Sequence, residues 1–355
     1  MLEVVHAMYP EAPVYTSIFL PEALPPAYHT WDVRPTFLNR LPVRVRQHHQ
    51  WLLPLYPYAF ERLDFSDYDL VISVTSAFAH GIITGSKTLH ICYCLTPARF
   101  LWDYDSYIAR EGVGRWARLI LPVLVSRLRR WDRRAADRVH HFVGISRVVQ
   151  QRIARCYQRN AEVIYPPTDM RRFKLSQEHS DYFLIISRLV PYKRIDLAVK
   201  AFNQLGLPLL IVGDGRDRRA LEAMAAPNVR FLGRLSDEEA GRYLAGCRAF
   251  IFPGEEDFGI APLEAQAAGR PVIAYAAGGA LETVEEGVTG LFFHEATPES
   301  LAEAVARFDD SLFDPATIRN AAMRFDRQAF ECRLGAFVHA KYRDFSAKHA
   351  EQASS

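Results

Sequence analysis

The chain has 355 residues, 49% of them hydrophobic and 24% charged, with a formal net charge of +2. That length exceeds one typical domain and fits two with separate cores, and the near-neutral balance excludes a strong overall attraction to nucleic acid. The five cysteines (Cys92, Cys94, Cys156, Cys247 and Cys332) lack Cys-x-x-Cys spacing and follow no signal peptide, so they read as reduced thiols of a cytoplasmic protein; no apolar run reaches the roughly 18 residues of a membrane span.

In chain order, apolar runs predict strands at residues 69–74, 88–94 and 140–145, with helices around 115–138 and at 147–157. Tyr165-Pro166-Pro167-Thr168 stops helix and ladder alike and marks a linker. Beyond it, strands are predicted at 181–187, 207–213, 228–232, 249–253 and 271–275. They alternate with helices at 193–205, 217–225, 237–245 and 259–268, with Ser236 as a helix cap. Residues 314–347 read as helices and 350–355 as a frayed tail. The expected division is 1–170, 171–325 and 326–355, the last piece packing back towards the first domain. Repeated strand–helix order gives an α/β fold of two Rossmann-like parallel-sheet domains facing a cleft, with ligands at the carboxyl ends of the strands.

Two motifs sit at such ends. Ser187-Arg188-Leu189-Val190-Pro191-Tyr192-Lys193-Arg194 places two cations, Arg188 and Lys193, where the strand leaves the sheet. A pyrophosphate there would meet fixed positive charge, worth roughly 1.5–3 kcal/mol per charge-assisted bond. Glu256-Asp257-Phe258-Gly259-Ile260-Ala261-Pro262-Leu263-Glu264 places one carboxylate on a turn and another on the helix that Phe258-Gly259 opens. A carboxylate accepts from two neighbouring hydroxyls, so Glu264 suits a ribose and Glu256 a sugar ring. The first motif alone fits a solvated basic turn equally well, and the second alone fits surface glutamates better; together they fit the two ends of a nucleotide-sugar.

The ordered set Ser187-Arg188-Leu189…Lys193-Arg194, Val212-Gly213-Asp214-Gly215, Phe231-Leu232-Gly233, Glu256-x7-Glu264, Gly278-Gly279 with Glu282, and Gly287-x-x-Gly290-Leu291 resembles the family 4 retaining glycosyltransferases of the GT-B fold. The resemblance implies a donor site in which Arg188 and Lys193 bind the diphosphate, Glu264 the ribose and Glu256 the donor sugar. Gly215, Phe258, Gly259 and Ile260 would border that site, and Leu232 and Gly233 would lie beside the base. It implies hexose transfer without a metal or other cofactor, the leaving phosphate assisting deprotonation of the acceptor. A looser similarity to a bacterial polysaccharide and O-antigen branch runs through Ala77-Phe78-Ala79-His80-Gly81 and Cys92-Tyr93-Cys94-Leu95-Thr96-Pro97. It implies mannose from GDP-mannose as donor and a lipid-linked or polysaccharide acceptor. Leu95 stands where many relatives carry histidine, and His80 is a candidate for the donor sugar or reaction centre, with a structural histidine as the alternative. Relatives begin with a strand and a Gly-Gly loop, whereas Met1-Leu2-Glu3-Val4-Val5-His6 resembles the middle of the following helix. On that comparison the strand and loop are missing, so a nucleotide-sugar-binding protein without activity is one alternative; a UDP-sugar epimerase of the same fold is another.

Three further patterns compete for a function. Asp67-Tyr68-Asp69 and Asp103-Tyr104-Asp105 could suggest a divalent metal, but no carboxylate or histidine cluster completes a shell, and both read as turns. Gly213-x-Gly215 is an incomplete dinucleotide fingerprint, because Arg218 takes the third glycine's place. In residues 115–134, Trp116, Ile120, Leu124, Leu128 and Trp131 recur at helical spacing among arginines, with Pro122 expected to bend the stretch. Such a helix suits either peripheral contact with anionic lipid at the inner membrane face or a core helix with a solvated basic side. Nucleic acid fits less well, since no binding module accompanies it.

Overall fold

A computed structural model describes residues 1–104 and 115–353. They form two units, Met1–Ile164 with Glu331–Ser355, and Tyr165–Phe330. The first change of unit falls at the start of the Tyr165-Pro166-Pro167 linker rather than at 170, and the second inside the last helix rather than at 325.

The first unit runs α1 (Leu2–Met8), β1 (Val14–Thr16), β2 (Val33–Pro35), α2 (Val43–Gln47), α3 (Tyr56–Glu61), β3 (Leu70–Thr75), β4 (Leu89–Cys94), α4 (Arg99–Trp102), α5 (Arg115–Asp137), β5 (His141–Gly144), α6 (Arg147–Tyr157) and β6 (Ala161–Val163). β3-β4-β5-β6 make a parallel sheet, and β1 and β2 a separate parallel pair. All six residues of β4 are buried, and its one imidazole, His90, is met by the Ser73 hydroxyl on β3 at 2.9 Å. Ser146 caps α6 by accepting from the Val149 amide. The pattern read from sequence missed β1, β2 and β6, each only three residues long.

α5 runs as one helix through Pro122. From Leu124 onward its apolar stripe turns inward: Val125 and Leu128 are buried in the first unit's core, with Leu124 and Trp131 packed against it. The side chains of Trp116 and Ile120 lie outside the described residues, as does Asp105.

The second unit contains β7 (Phe183–Ile186), α7 (Ile195–Leu205), β8 (Leu209–Val212), α8 (Arg218–Met224), β9 (Val229–Gly233), α9 (Asp237–Gly246), β10 (Ala249–Phe252), α10 (Ile260–Ala267), β11 (Val272–Tyr275), α11 (Ala280–Thr283), β12 (Gly290–Phe293), α12 (Pro298–Ala306) and α13 (Pro315–Ala322). α14 (Arg327–Ala353) then carries the chain back into the first unit, where Leu334 and Val338, one turn apart, are buried. The sheet order is β12-β11-β10-β7-β8-β9, all parallel. Its strands read as unbroken apolar runs because both faces are covered. Phe183, Ile185, Leu209, Ile211 and Ile251 enter one core, while Leu184, Val212, Phe250, Phe252 and Val272 enter the other. This is the period-two alternation of a strand, filled on both sides.

Candidate nucleotide-sugar site

β7 and β10 are neighbours, yet the chain leaves β7 towards β8 and β9 before returning to β10 on the other side. At such a reversal the two outgoing loops diverge and leave a crevice beyond the carboxyl ends of the strands. The loops in question are those of the two sequence motifs: 187–194 follows β7 and 253–259 follows β10.

The Lys193 ammonium and the Glu256 carboxylate form an ion pair across this crevice, both largely withdrawn from solvent. The loops approach closely because of Gly254: a Cβ there would lie 2.8 Å from the Lys193 carbonyl oxygen. Arg194 next door has φ 54°, an uncommon conformation for a side-chain-bearing residue. It turns the chain into α7, with its guanidinium held by Asp196 at 3.3 Å. Arg188 is exposed and donates to the Tyr192 hydroxyl at 2.8 Å. The sequence reading did not single out Tyr192, although its place four residues after Arg188 was the available signal.

Gly259 caps α10 at φ 88°, and the first amides of that helix have no carbonyl a turn back to receive them. Their partial positive charge makes the start of α10 a place where an anion is stabilised. Ile260 is exposed, and Glu264 lies one turn further on the same face. Burial raises the Glu264 carboxyl above its usual range, with the Arg172 cation opposing and the Asp237 anion adding to the shift. Arg172 and Asp237 are themselves an ion pair, and the sequence reading had marked neither. They are met only because the fold brings the segment after the linker to α10.

The structure assigns some expected residues a different part. The Phe258 ring is 3% exposed, stacked at 5.6 Å on Tyr165 and at 5.7 Å edge-on to Phe325. Its side chain anchors the loop, which leaves only its backbone for a ligand. Gly215 is needed for close approach, since a Cβ would lie 2.2 Å from the Leu189 carbonyl oxygen. Leu232 and Gly233 close β9, two strands from β7, and the Leu232 side chain packs against a core cluster. His80 lies in the first unit and is 1% exposed, its Nε2 3.2 Å from the Asp132 carboxylate. Trp102 Nε1 donates to the same carboxylate at 2.6 Å, and the Tyr157 phenol, pushed well above its usual range by burial and then by the Asp132 charge, completes the enclosure. His80 is thus buried in the core of the first unit, which fits the structural alternative that the sequence offered for it.

Residues 168–322 match the family model described as Glycosyl transferases group 1. A GDP-mannose-dependent monoacylated alpha-(1-6)-phosphatidylinositol monomannoside mannosyltransferase of Corynebacterium glutamicum is 40% identical over 153 residues, 39% of each chain. A GDP-mannose-dependent alpha-mannosyltransferase of the same organism is 35% identical over 129 residues, 36% of this chain and 31% of that one. The chain thus spans well under half the length of these relatives. Among solved structures, Anabaena HepE in complex with UDP superposes with TM-score 0.70 at 18% identity, covering 96% of this chain and 95% of that one. Sucrose-phosphate synthase from Thermosynechococcus elongatus gives 0.73 at 18% identity, covering 96% and 92%. That family match covers most of the second unit, and the chain has the GT-B fold of two Rossmann-like domains. The family 4 resemblance read from the motifs agrees with both findings.

Proposed function

We propose that the chain is a retaining glycosyltransferase that moves mannose from GDP-mannose to a hydroxyl of a lipid-linked or glycan acceptor. The observation that carries this reading is the Lys193–Glu256 pair at the switch point, beside the amino end of α10 and the buried Glu264. An arriving diphosphate takes Lys193 from Glu256 and engages Arg188 and the α10 amides. The freed Glu256 carboxylate accepts from hydroxyls of the sugar, while Glu264 accepts from the ribose. The bond from the anomeric carbon to phosphate oxygen breaks and the bond to the acceptor oxygen forms on the same face. The acceptor proton passes to the leaving phosphate, and GDP departs. Fixed cations lower the barrier because negative charge on the diphosphate grows along this path. The protein needs no metal in this scheme, since Arg188, Lys193 and the helix terminus carry the neutralising charge.

The donor assignment draws on the two GDP-mannose-dependent relatives, and the lipid-linked acceptor on the phosphatidylinositol mannoside named for one of them. A cytoplasmic enzyme working at the inner face of the membrane would suit that acceptor. Among the described residues no helix is long and apolar enough to cross a membrane. Calorimetric titration of GDP-mannose and UDP-glucose into wild type and Arg188→Ala/Lys193→Ala protein, followed by a turnover assay, tests the reading. GDP-mannose binding that falls at least tenfold in the double variant, with transfer to a lipid-linked glycan by wild type, supports it. Release of an isomerised free donor without acceptor, or binding indifferent to the double substitution, overturns it.

A further inference from the structure

In the first unit the segment His49–Leu55 is a 3-10 helix that runs straight on into α3. Its inner side is apolar: Leu52, Tyr56, Ala59 and Phe60 are buried in the core. Its outer side is apolar as well. Trp51 is 72% exposed, Leu55 43% and Tyr58 51%, with Pro54 exposed between them. These positions recur three or four residues apart, one helical turn, and so share a face. A helix that is apolar all round is ordinarily covered on both sides, and exposed apolar side chains rimmed by polar ones mark a contact surface. Two rings hold the outer aromatics: His48 stacks on Trp51 at 5.1 Å, and the exposed Phe37 meets Tyr58 edge-on at 5.7 Å.

The rim of this face is cationic. Arg62 lies 5.1 Å over the Tyr58 ring and donates to its hydroxyl. The Arg44 carbonyl oxygen meets Nδ1 of His48 at 2.8 Å, and Arg40 ends the 3-10 turn that Phe37 begins. All three arginines are exposed. Between Val33 and Phe60 the chain has no acidic residue. Glu61, the next one, is spent inward, accepting from Trp131 Nε1 and from Arg138 at 2.8 Å each.

We propose that this face docks on an anionic lipid surface, with Trp51, Leu55 and Tyr58 entering at the level of the headgroups and Arg40, Arg44 and Arg62 pairing with lipid phosphates. Trp and Tyr join an apolar body to a polar tip, which suits the boundary between headgroup and acyl chain. Arginine binds phosphate through a planar fork of donors. A second copy of the chain is a poorer occupant, because a two-fold contact sets the arginine rim against itself. The face is separate from the apolar stripe of α5, which is taken up in the core. A few shallow side chains give only reversible binding, so the arginines must assist, and salt that screens them releases the chain.

Co-sedimentation with vesicles of equal parts phosphatidylglycerol and phosphatidylcholine at low ionic strength tests this. Binding by Trp51→Ser/Leu55→Ser/Tyr58→Ser is expected to fall at least tenfold with the thermal midpoint held, since all three side chains face outward. Trp51→Phe/Leu55→Met/Tyr58→Phe is expected to bind as wild type does. At saturation, vesicles with brominated acyl chains are expected to quench indole fluorescence more strongly in wild type than in Trp51→Phe, and this comparison decides the matter even where the serine variant melts lower. Equal binding by the serine variant, equal quenching in wild type and Trp51→Phe, or binding to pure phosphatidylcholine as tight as to the mixture overturns the proposal. Sedimentation velocity that finds wild type self-associated and the serine variant monomeric would assign the face to a second copy and overturn it too. No nucleotide enters any of these readouts, so failure here leaves the donor-site reading untouched, and the reverse holds as well.

Discussion

Lys193 and Glu256 neutralise each other at the mouth of β7 and β10, and this pairing sets how each should respond to change. Glu256→Gln keeps the shape of the side chain but releases Lys193 to a diphosphate. GDP is expected to bind a few-fold tighter to the variant while GDP-mannose turnover falls at least a hundredfold, since on the proposed reading the lost group holds the sugar; calorimetry with GDP and a steady-state assay separate the two effects. Glu264 yields a pH prediction. Its carboxyl titrates above the usual range because it is buried, so the ionised form is disfavoured in the folded state. As pH rises from the unfolded value through the folded one, the folded chain holds more proton than the unfolded chain and stability falls. Acidification relieves that cost but, on the proposed reading, removes the acceptor for the ribose. Donor affinity should therefore drop on acidification at a pH above that of an ordinary glutamate, while the thermal midpoint of the second unit rises through the same window. In Glu264→Gln both pH dependences should vanish, as read by titrations and melts across pH 4–7. Arg188, Lys193, Glu256 and Glu264 could be nominated from the sequence because charge at a strand exit is a local signal, and the fold brings Lys193 and Glu256 together. The burial of Phe258 and the choice between the two parts offered for His80 were not legible, because what encloses them, Tyr165 and Phe325 for one and Asp132 and Trp102 for the other, is far away in sequence.

At the scale of elements, α5 bears on membrane contact. Its apolar stripe is spent on the core through Val125 and Leu128, so from Leu124 onward it cannot also lie in lipid. What remains outside is a row of arginines, with Arg127, Arg130, Arg133 and Arg134 exposed beside Val123. Contact with an anionic surface would then be electrostatic, about 1 kcal/mol per arginine near the surface and screened by salt. Binding to phosphatidylglycerol vesicles is expected at low ionic strength, to be lost by 0.5 M salt, and to weaken at least tenfold when Arg127, Arg130, Arg133 and Arg134 are changed to Gln; co-sedimentation measures it. Binding that persists in high salt would point to an inserted apolar surface elsewhere. α9 and α10 show why the second unit was easily read. Ser236 and Glu239 close a reciprocal capping box at one, Gly259 opens the other, and each signal lies within a few residues of the helix it starts.

At the scale of the whole molecule, the second unit is one continuous stretch, whereas the first is completed by the end of α14. Phe337 and Phe345 meet His141 and His140 edge-on, at 6.2 Å and 5.1 Å between ring centroids. Scanning calorimetry is expected to resolve two transitions, of which GDP raises only that of the second unit. Phe337→Ala should lower the other by several degrees without changing the GDP-induced shift. One cooperative transition displaced as a whole by GDP would show instead that the units unfold together.

By itself the sequence determined the class of fold and the placing of the two charged motifs at strand exits, because strand and helix periods, caps and prolines act over a few residues. The predicted strands of the second unit fall within a residue or two of β7 to β11 for that reason. Only the tertiary structure decided which strands are neighbours, and so that the exits of β7 and β10 bring Lys193 and Glu256 together across 63 positions of chain. It alone turned the α5 stripe inward and left Trp51, Leu55 and Tyr58 facing outward. Strand order and burial depend on contacts between distant residues, and no local pattern of residue types carries them.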